Sequence, residues 1–285
     1  MLNIIFVILY ELIILFVNAL FLPLPWRDAG LVRYRSFAWM TALLITVNVC
    51  LFLFWQPFTQ MIVSDHPKAG MAFFIEHVWT YGSRRAFLYS GEGIGPIAAF
   101  TSMFMHIDLG HLMGNMIYLW AFGRRIEDAC GPWRYLAFYL LAGLIADIAY
   151  TMILPASDMD FPGIGASGAI AGVMGAYLIL FPGRRVTTLW FIPSLLIRPM
   201  IMAWARMTQR EAYYQWRWTL DMPAIFLLVW FAFENILPSF QIIGGVGEMS
   251  GVNTLAHMAG FLASITIFFF VRRDLLRRYV TGKRL

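Results

Sequence analysis

The sequence predicts an all-α polytopic membrane protein, in which six helices form the core and an extra N-terminal transmembrane helix precedes them. Of its 285 residues, 60% are hydrophobic and 13% are charged, whereas soluble domains have roughly 45–50% and 25%. Several apolar runs also reach the ~20 residues that a helix needs to cross a ~30 Å hydrocarbon core. This composition excludes a disordered chain, a disulfide scaffold and a soluble globule.

Seven apolar segments define the expected helices. They fall at residues 2–22, 38–55, 108–122, 135–154, 164–181, 221–237 and 254–271. Residues 1–37 would hold the extra helix and a cytoplasmic linker, residues 38–272 the six-span domain, and residues 273–285 a basic cytoplasmic tail. Because Glu11 lies inside the first segment, the sequence leaves open whether residues 2–22 cross the membrane.

The distribution of basic residues indicates the orientation. Loops 155–163 and 238–253 contain no Lys or Arg. Eighteen of the 21 basic residues lie in four stretches, at 27–35, 124–134, 184–217 and 272–284. This alternation follows the positive-inside rule, so we expect a multi-pass protein of a bacterial cell (inner) membrane with a cytoplasmic C-terminus. Since the net charge of +5 is concentrated at helix ends, it does not indicate a nucleic-acid partner.

Three connecting segments have unusual compositions. Segment 56–107 mixes aromatic and charged residues, which is typical either of a structure in the outer membrane interface or of a folded extramembrane loop. Loop 238–253 has four glycines and is expected to be a mobile flap that gates access. Stretch 198–220 is polar and aromatic, and we expect it to lie on the cytoplasmic face. The two cysteines, Cys50 and Cys130, offer no disulfide framework.

Four polar residues inside the apolar segments are candidates for chemistry, because polar groups within a membrane are unfavourable without a partner: His111, Asn115, Ser167 and His257. His111 and Asn115 are four positions apart, so a helix projects both side chains from one face. Taken singly, each residue is also explained by packing, since polar side chains commonly join membrane helices.

The serine lies in the motif Gly165-Ala166-Ser167-Gly168. Glycines on both sides would let a second backbone or an extended substrate approach the hydroxyl closely. Gly168 and Gly172 also form a GxxxG pattern, which by itself indicates helix packing. The helix that follows is expected to be short, with free amide groups at its start that could stabilise an anion.

The depth at which these polar residues are expected to lie in the membrane favours one joint site over separate packing roles. Counted at 1.5 Å per residue from the basic residue that ends each span, Ser167 lies about 26 Å away, His257 about 22 Å and His111 about 20 Å. Asn115 lies lower, at about 14 Å, so helix tilt must help it contribute. Independent packing residues have no need to share a level in the outer half of the membrane, whereas the parts of one site do.

The combination predicts nucleophilic acyl transfer. His257 would remove the proton of Ser167, and the alkoxide would attack a carbonyl carbon. The amide of Ser167 and the polar side chains of the earlier span would form the oxyanion hole. Asp147 and Glu234 lie in other spans and neither matches the position needed to orient the imidazole, so we predict a dyad.

A metal site is the competing chemistry. His106, His111 and His257 could supply three nitrogen ligands, with Asp108 nearby. The spacing contains no HExxH pattern and leaves Ser167 without a role. We therefore predict no metal site.

These motifs together resemble the rhomboid family of intramembrane serine proteases. The combination of HxxxN, GxSG and AHxxG, in this order along a six-span chain, is specific, and the resemblance covers residues 38–272. The matching stretches are His106-Ile-Asp-Leu-Gly-His111-Leu-Met-Gly-Asn115, Gly165-Ala166-Ser167-Gly168 and Ala256-His257-Met258-Ala259-Gly260, together with Gly123, Glu127, Gly131 and Arg134.

The resemblance implies roles for individual residues. Ser167 would be the nucleophile, His257 the general base, and His111 and Asn115 the oxyanion-hole side chains. The supporting residues would be Gly165, Gly168, Gly260 and His106. The implied activity is cleavage of single-span membrane proteins, at a helix-destabilised transmembrane segment near the outer side of the bilayer. The expected partners are those substrates and the lipid bilayer, and the resemblance implies no metal or organic cofactor.

The chain departs from the family pattern in four places. Ile97-Ala98 stand where many members have Trp-Arg, Ser264 is a mild change where a small residue is expected, and stretch 198–220 looks like an insertion without an assigned role. Ala171 stands where an aromatic side chain commonly packs on the catalytic imidazole, so His257 would be held more loosely. Two alternatives stay open: a catalytically inactive rhomboid-like chaperone or trafficking factor, and a channel or transporter lined by the polar residues. The sequence leaves the physiological substrate and the oligomeric state open.

Overall fold

The fold was analysed in a computed structural model, which describes residues 2–21, 23–28, 37–56, 67–153, 161–191, 199–200, 202–203, 206–208, 219–243 and 254–271. Its helices and strands, in chain order, are α1 Leu2–Phe21, β1 Leu24–Asp28, α2 Trp39–Cys50, α3 Pro67–Tyr81, α4 Arg85–Tyr89, α5 Ala98–Thr101, α6 Leu109–Tyr118, α7 Arg124–Cys130, α8 Pro132–Ile153, α9 Ser167–Leu180, β2 Arg185–Leu189, β3 Thr219–Pro223, α10 Ala224–Ile243, α11 Thr254–Ala263 and α12 Ile267–Phe270. Single turns of π-helix, Leu51–Trp55 and Leu119–Gly123, continue α2 and α6.

Each of the seven apolar segments contains a helix, as predicted from the sequence. Within the described residues, Pro132–Ile153 is the single helix whose length and apolar composition suffice to cross a membrane, and the other apolar helices are shorter. The number of membrane crossings, including that of α1, therefore stays a prediction. The short helix expected after the serine is confirmed, because α9 has 14 residues.

A three-stranded antiparallel sheet is the main difference from the all-helical prediction. The strands lie in the order β1-β2-β3, and Val186 of β2 pairs with Asp28 on one side and Met222 on the other. β1 lies in the expected linker, and β3 occupies the start of the expected span 221–237. Strands of five residues have too few alternating positions to be recognised in so apolar a chain, and their pairing is non-local.

The sheet connects the N-terminal segment to the helical core. Asp28, at the end of β1, forms an ion pair with Arg125 of α7, and both side chains are almost fully buried. A buried ion pair needs both partners, because removal of one leaves an uncompensated charge. The expected boundary at residue 37 therefore separates segments that are packed together.

Aromatic side chains of α8 fill the centre of the helical core. Tyr135, Phe138 and Tyr139 are fully buried, as are Phe122 and Tyr177 on the facing helices. Small residues let the neighbouring backbones approach: Gly172 of α9 packs against α8, where its Cβ would lie 2.6 Å from that of Ala142. Membrane helices associate closely at such small residues.

Glu127, one of the residues that match the family pattern, has a structural role. Its carboxylate accepts hydrogen bonds from the backbone amides of Met40 and Thr41 and from the Thr41 hydroxyl. These amides lie at the start of α2, where the first N–H groups of a helix have no partner within the helix. Glu127 thereby links α7 to the start of α2.

The described part of segment 56–107 is helical. Residue Phe87 of α4 is buried beneath the guanidinium group of Arg84, whereas Phe73 and Tyr89 are exposed. A short helical layer with exposed aromatic rings suits the membrane interface and a folded extramembrane loop equally, so both interpretations stay open.

The prediction of a mobile glycine flap over residues 238–253 is wrong for the first residues of that range. Residues 238–243 belong to α10, which continues past Pro238 as far as Ile243. The four flap glycines lie outside the described residues, as do residues 209–218 of the expected insertion and the tail 273–285.

Candidate active site

The N-terminus of α9 positions the candidate nucleophile. Ser167 is the first residue of this helix, and the preceding Ala166 has no side chain that could cap the free amide groups. Gly165 has a φ of +125°, a conformation that L side chains rarely adopt, and its N–H donates to the carbonyl of Ser102 at 2.9 Å. The loop thus presents the serine hydroxyl and uncapped amide groups together, as an oxyanion hole requires.

The candidate base lies on the helix that packs most closely against α9. A Cβ atom at Gly260 of α11 would lie 2.0 Å from the carbonyl oxygen of Gly168, so the two backbones are in direct contact. Ser167 and His257 stand beside this contact, one residue before Gly168 and three residues before Gly260. Both side chains are half-buried. Within the described residues the Ser167 hydroxyl has no recorded hydrogen bond to His257; catalytic hydrogen bonds are often long before substrate binds.

His111 approaches the serine from α6. The position that a Cβ would take at Gly165 lies 3.0 Å from His111 Nε2 and 3.4 Å from Ser167 Oγ. His111 Nε2 and the hydroxyl oxygen are therefore at most 6.4 Å apart, the sum of these two distances. Asp108 caps this helix by accepting a hydrogen bond from the His111 backbone amide at 2.6 Å.

Unpaired donors are available on the same helix. Asn115 is buried, and its Nδ2 atom has no hydrogen-bond partner among the described residues. The Nδ1 atom of His111 is likewise without a recorded partner in the described part of the chain. Buried donors without partners are uncommon in folded proteins, and they are what an oxyanion would use.

His106 lies behind His111. It is fully buried, and its ring centroid is 5.1 Å from that of His111. The Gln56 side chain accepts from its backbone N–H and donates to its carbonyl. Burial, together with the nearby His111 ring, lowers the pKa of His106 to about 3, so the ring is neutral at physiological pH. This position can support the orientation of the His111 ring by packing.

A small cavity of about 30 Å³ adjoins the serine, which is sufficient for a water molecule. Its polar wall includes Ser102, Asp147 and Ser167. Asp147 accepts a hydrogen bond from the Ser83 hydroxyl at 2.7 Å, and within the described residues it has no recorded hydrogen bond to His257. The expectation that Asp147 does not orient the imidazole therefore agrees with its observed partner.

The sequence analysis missed Asn235, a residue of α10. Its Oδ1 atom lies 2.9 Å from His257 Nδ1, and its side chain is buried. From the sequence, only acidic residues were expected to be able to orient the His257 imidazole. One of them was Glu234, which precedes Asn235 and is exposed. The available signal was a polar amide inside an apolar helix, the same signal that identified Asn115.

Phe231 supplies an aromatic contact to the base. Its ring centroid is 5.9 Å from that of His257, with an angle of 35° between the rings. Ala171, where an aromatic residue was expected, is fully buried within α9. The expected loosening of His257 is thus offset by a side chain from a different helix.

The alternative metal site is not formed as a cluster. Although His106, His111, His257 and Asp108 all belong to the described residues, no three His, Cys, Asp or Glu side chains within that part of the chain come together as ligands. Three-ligand coordination is the least that a zinc centre of known type needs from the protein.

Comparison with known proteins adds an independent observation. A sequence model of the Rhomboid domain matches residues 96–274. Rhomboid protease GluP of Bacillus subtilis (strain 168) is 40% identical over 85 residues, which are 30% of this chain and 16% of that protein. Rhomboid-like protein 11, chloroplastic, of Arabidopsis thaliana is 23% identical over 180 residues, which are 61% of this chain and 51% of the relative.

A further relative is Rhomboid protein 1, mitochondrial, of Saccharomyces cerevisiae, which is 27% identical over 146 residues, or 50% of this chain and 37% of that protein. The chain thus spans about half the length, or less, of these relatives. The matched region 96–274 contains all the candidate site residues from His106 to Gly260.

Proposed function

Because the chain belongs to the rhomboid family, we propose that it is an intramembrane serine endopeptidase. It would cleave transmembrane segments of single-span membrane proteins near the outer side of the bilayer. Family membership makes the chain an integral membrane protein; the protease activity is our proposal. One relative, GluP, carries the word protease in its name.

The observation that carries the proposal is the packing of α9 on α11. Gly168 and Gly260 are in backbone contact, and this contact brings the helices of Ser167 and His257 together. A structural serine and a structural histidine would not need uncapped amides and unpaired imidazole and amide donors beside them. Their combination supports acyl transfer over a purely structural role.

The proposed reaction has two stages. Ser167 Oγ attacks the scissile carbonyl carbon while its proton passes to His257 Nε2, and the C–N bond then breaks as His257 returns the proton to the leaving amine. Water, deprotonated by His257, next attacks the acyl-enzyme ester, and the ester C–O bond breaks as His257 returns this proton to Ser167 Oγ. In both stages the Ser167 amide, His111 and Asn115 stabilise the negative charge on the carbonyl oxygen.

The substrates and the membrane remain part of the proposal. A substrate helix that unwinds near its outer end could present its backbone to Ser167, so a helix-destabilised segment is the expected target. The names of the relatives refer to chloroplasts and mitochondria as well as to a bacterium. We propose a bacterial cell (inner) membrane with a cytoplasmic C-terminus on the charge distribution alone.

The decisive experiment is the Ser167→Ala variant, compared with the wild type in the same membranes. We expect a fluorophosphonate probe to label the wild type and not the variant, because labelling requires an activated serine hydroxyl. Membrane-proteome mass spectrometry should show fragments of single-span proteins that disappear in the variant. Normal cleavage by Ser167→Ala would falsify the proposal.

A matched control is Ser102→Ala, which removes a second buried serine that lines the same cavity. The Ser102 hydroxyl donates to the carbonyl of Ala99 within its own turn, so labelling should survive. The alternative, an inactive chaperone or trafficking factor, predicts that neither protein is labelled and that substrate binding survives Ser167→Ala. The same comparison separates a channel, whose transport would also survive.

A further inference from the structure

We propose that Asn235 is a positioning residue for His257, which extends the serine–histidine pair to a Ser167–His257–Asn235 arrangement. The importance of this contact for cleavage rests on the proposed function. Its effect on the imidazole does not, because it follows from the contact between two side chains. The arrangement differs from the dyad that the sequence predicted.

The hydrogen bonds of Asn235 fix which atom faces the histidine. Its Nδ2 atom donates to the carbonyl oxygen of Phe231 at 2.8 Å, and a carbonyl can only accept. The Oδ1 atom is therefore the one that lies 2.9 Å from His257 Nδ1. An amide oxygen also only accepts, so Nδ1 must carry the proton.

This tautomer is the one that a general base needs. With the proton on Nδ1, the Nε2 atom of a neutral imidazole has a free lone pair, which can accept the proton of Ser167. In serine proteases a buried group at Nδ1 holds the histidine in this tautomer and orientation. Asn235 can do the same as a neutral amide, without the unfavourable burial of a charge in a membrane.

A second residue of α10 also contacts the His257 imidazole, from a different direction. Phe231 precedes Asn235 by four residues, so both side chains project from one face of α10. The Phe231 ring contacts the imidazole, while Asn235 binds its Nδ1 edge. Two contacts at an angle restrict both rotation and tilt of the ring, whereas Ala171 of α9 has no side chain long enough to do so.

The first test compares two substitutions at one position. Asn235→Leu keeps the approximate volume and removes the acceptor, whereas Asn235→Asp keeps an acceptor oxygen. We expect Asn235→Leu to lower kcat, and the rate of fluorophosphonate labelling of Ser167, by about 100-fold with little change in KM, since general base catalysis contributes factors of this order. Asn235→Asp should retain activity within about tenfold of the wild type.

Ser239→Ala is the matched control within α10. The Ser239 hydroxyl donates to the carbonyl oxygen of Asn235 at 2.6 Å, so this variant removes a buried hydrogen bond at the same turn without touching the imidazole. Its labelling rate should stay close to that of the wild type. The inference is overturned if Asn235→Leu labels at the wild-type rate, or if Asn235→Asp loses as much activity as Asn235→Leu.

The second test does not depend on activity. The chain has five histidines, so ¹⁵N-histidine NMR in detergent micelles can assign the His257 signals by their loss in His257→Gln. We expect the Nδ1–H tautomer in the wild type and a shift towards the Nε2–H tautomer in Asn235→Leu, or in Asn235→Ala if the leucine variant does not fold. An unchanged tautomer would contradict the inference even if the protein cleaves no substrate.

Discussion

Two of the helices that pack against α11, α9 and α10, contact it in different ways. α9 contacts it through backbone, because Gly168 and Gly260 leave no side chain between the helices. α10 contacts it through side chains, and its opposite face is apolar and more than half exposed at Phe226, Trp230 and Phe233. The distance between nucleophile and base is therefore fixed by close packing, whereas the orientation of the base depends on a peripheral helix.

The largest effect is expected from Gly260→Ala, which breaks the backbone contact. The new Cβ would lie 2.0 Å from the Gly168 carbonyl oxygen, so the helices must separate. We expect a destabilisation of about 3 kcal/mol, in the range of overpacked cores, and no detectable labelling of Ser167. Unfolding by denaturing detergent in mixed micelles measures the loss of stability. The labelling assay, performed separately on the folded protein, measures the reactivity of Ser167.

Gly114→Ala provides the comparison for that result. Gly114 is also a helical glycine, but no heavy atom lies within 4 Å of its Cβ position. Alanine is favoured over glycine in helices by about 1 kcal/mol, so stability should be unchanged or slightly raised. Equal stability losses in the two variants would show that the Gly168–Gly260 contact has no special role.

A smaller effect is expected from Gly165→Ala, which acts on the site without separating the helices. Its Cβ would lie 2.9 Å from Cε1 of His111, and its φ is +125°. We expect a strain of about 1–3 kcal/mol and a roughly 100-fold slower labelling of Ser167, because displacements of about 1 Å in a catalytic site have effects of this order.

Gly91→Ala is the control for Gly165→Ala, because it strains the backbone without changing the geometry of the candidate active site. Gly91 has a φ of +67° and nothing within 4 Å of its Cβ position, so the substitution strains the backbone outside the site. Stability should fall while the labelling rate stays unchanged. A normal labelling rate in Gly165→Ala would show that His111 need not stand where the structure has it.

The smallest effect is expected from Phe231→Leu, which tests whether the face of α10 that contacts His257 differs in function from its exposed face. Loss of the aromatic contact with His257 should slow labelling by about 2- to 10-fold, the equivalent of the 0.5–1.5 kcal/mol typical of aromatic pairs. Phe233→Leu changes a phenylalanine that is 61% exposed and should leave the rate unchanged. Equal rates for both variants would mean that Phe231 does not restrain the imidazole.

Much of the helical architecture was predictable from the sequence, because apolar runs dominate it. The seven helical segments and the shortness of α9 follow from hydropathy, and the common depth of Ser167, His257 and His111 stays a prediction from a rise of 1.5 Å per residue. The sheet was not predictable, since β1 and β2 are separated by more than 150 residues and their pairing leaves no local pattern.

The local sequence could not show which polar residue of α10 contacts His257. The neighbours Glu234 and Asn235 are both polar, yet only Asn235 is buried, and the choice between them depends on how α10 is rotated against α11. Rotation is set by packing over the whole interface, which includes Phe231 and Phe261. A one-residue error in that rotation turns a side chain by about 100°.

Composition and spacing along a helix are local properties, so they suffice to predict a helical membrane protein with a serine, two histidines and an asparagine inside its apolar segments. Three-dimensional packing brings particular residues together: Gly165 beside His111, Gly168 against Gly260, and the Asn235 side chain on His257. These contacts join residues that are far apart in the chain, and their geometry depends on helix rotation and close packing, which no local pattern encodes.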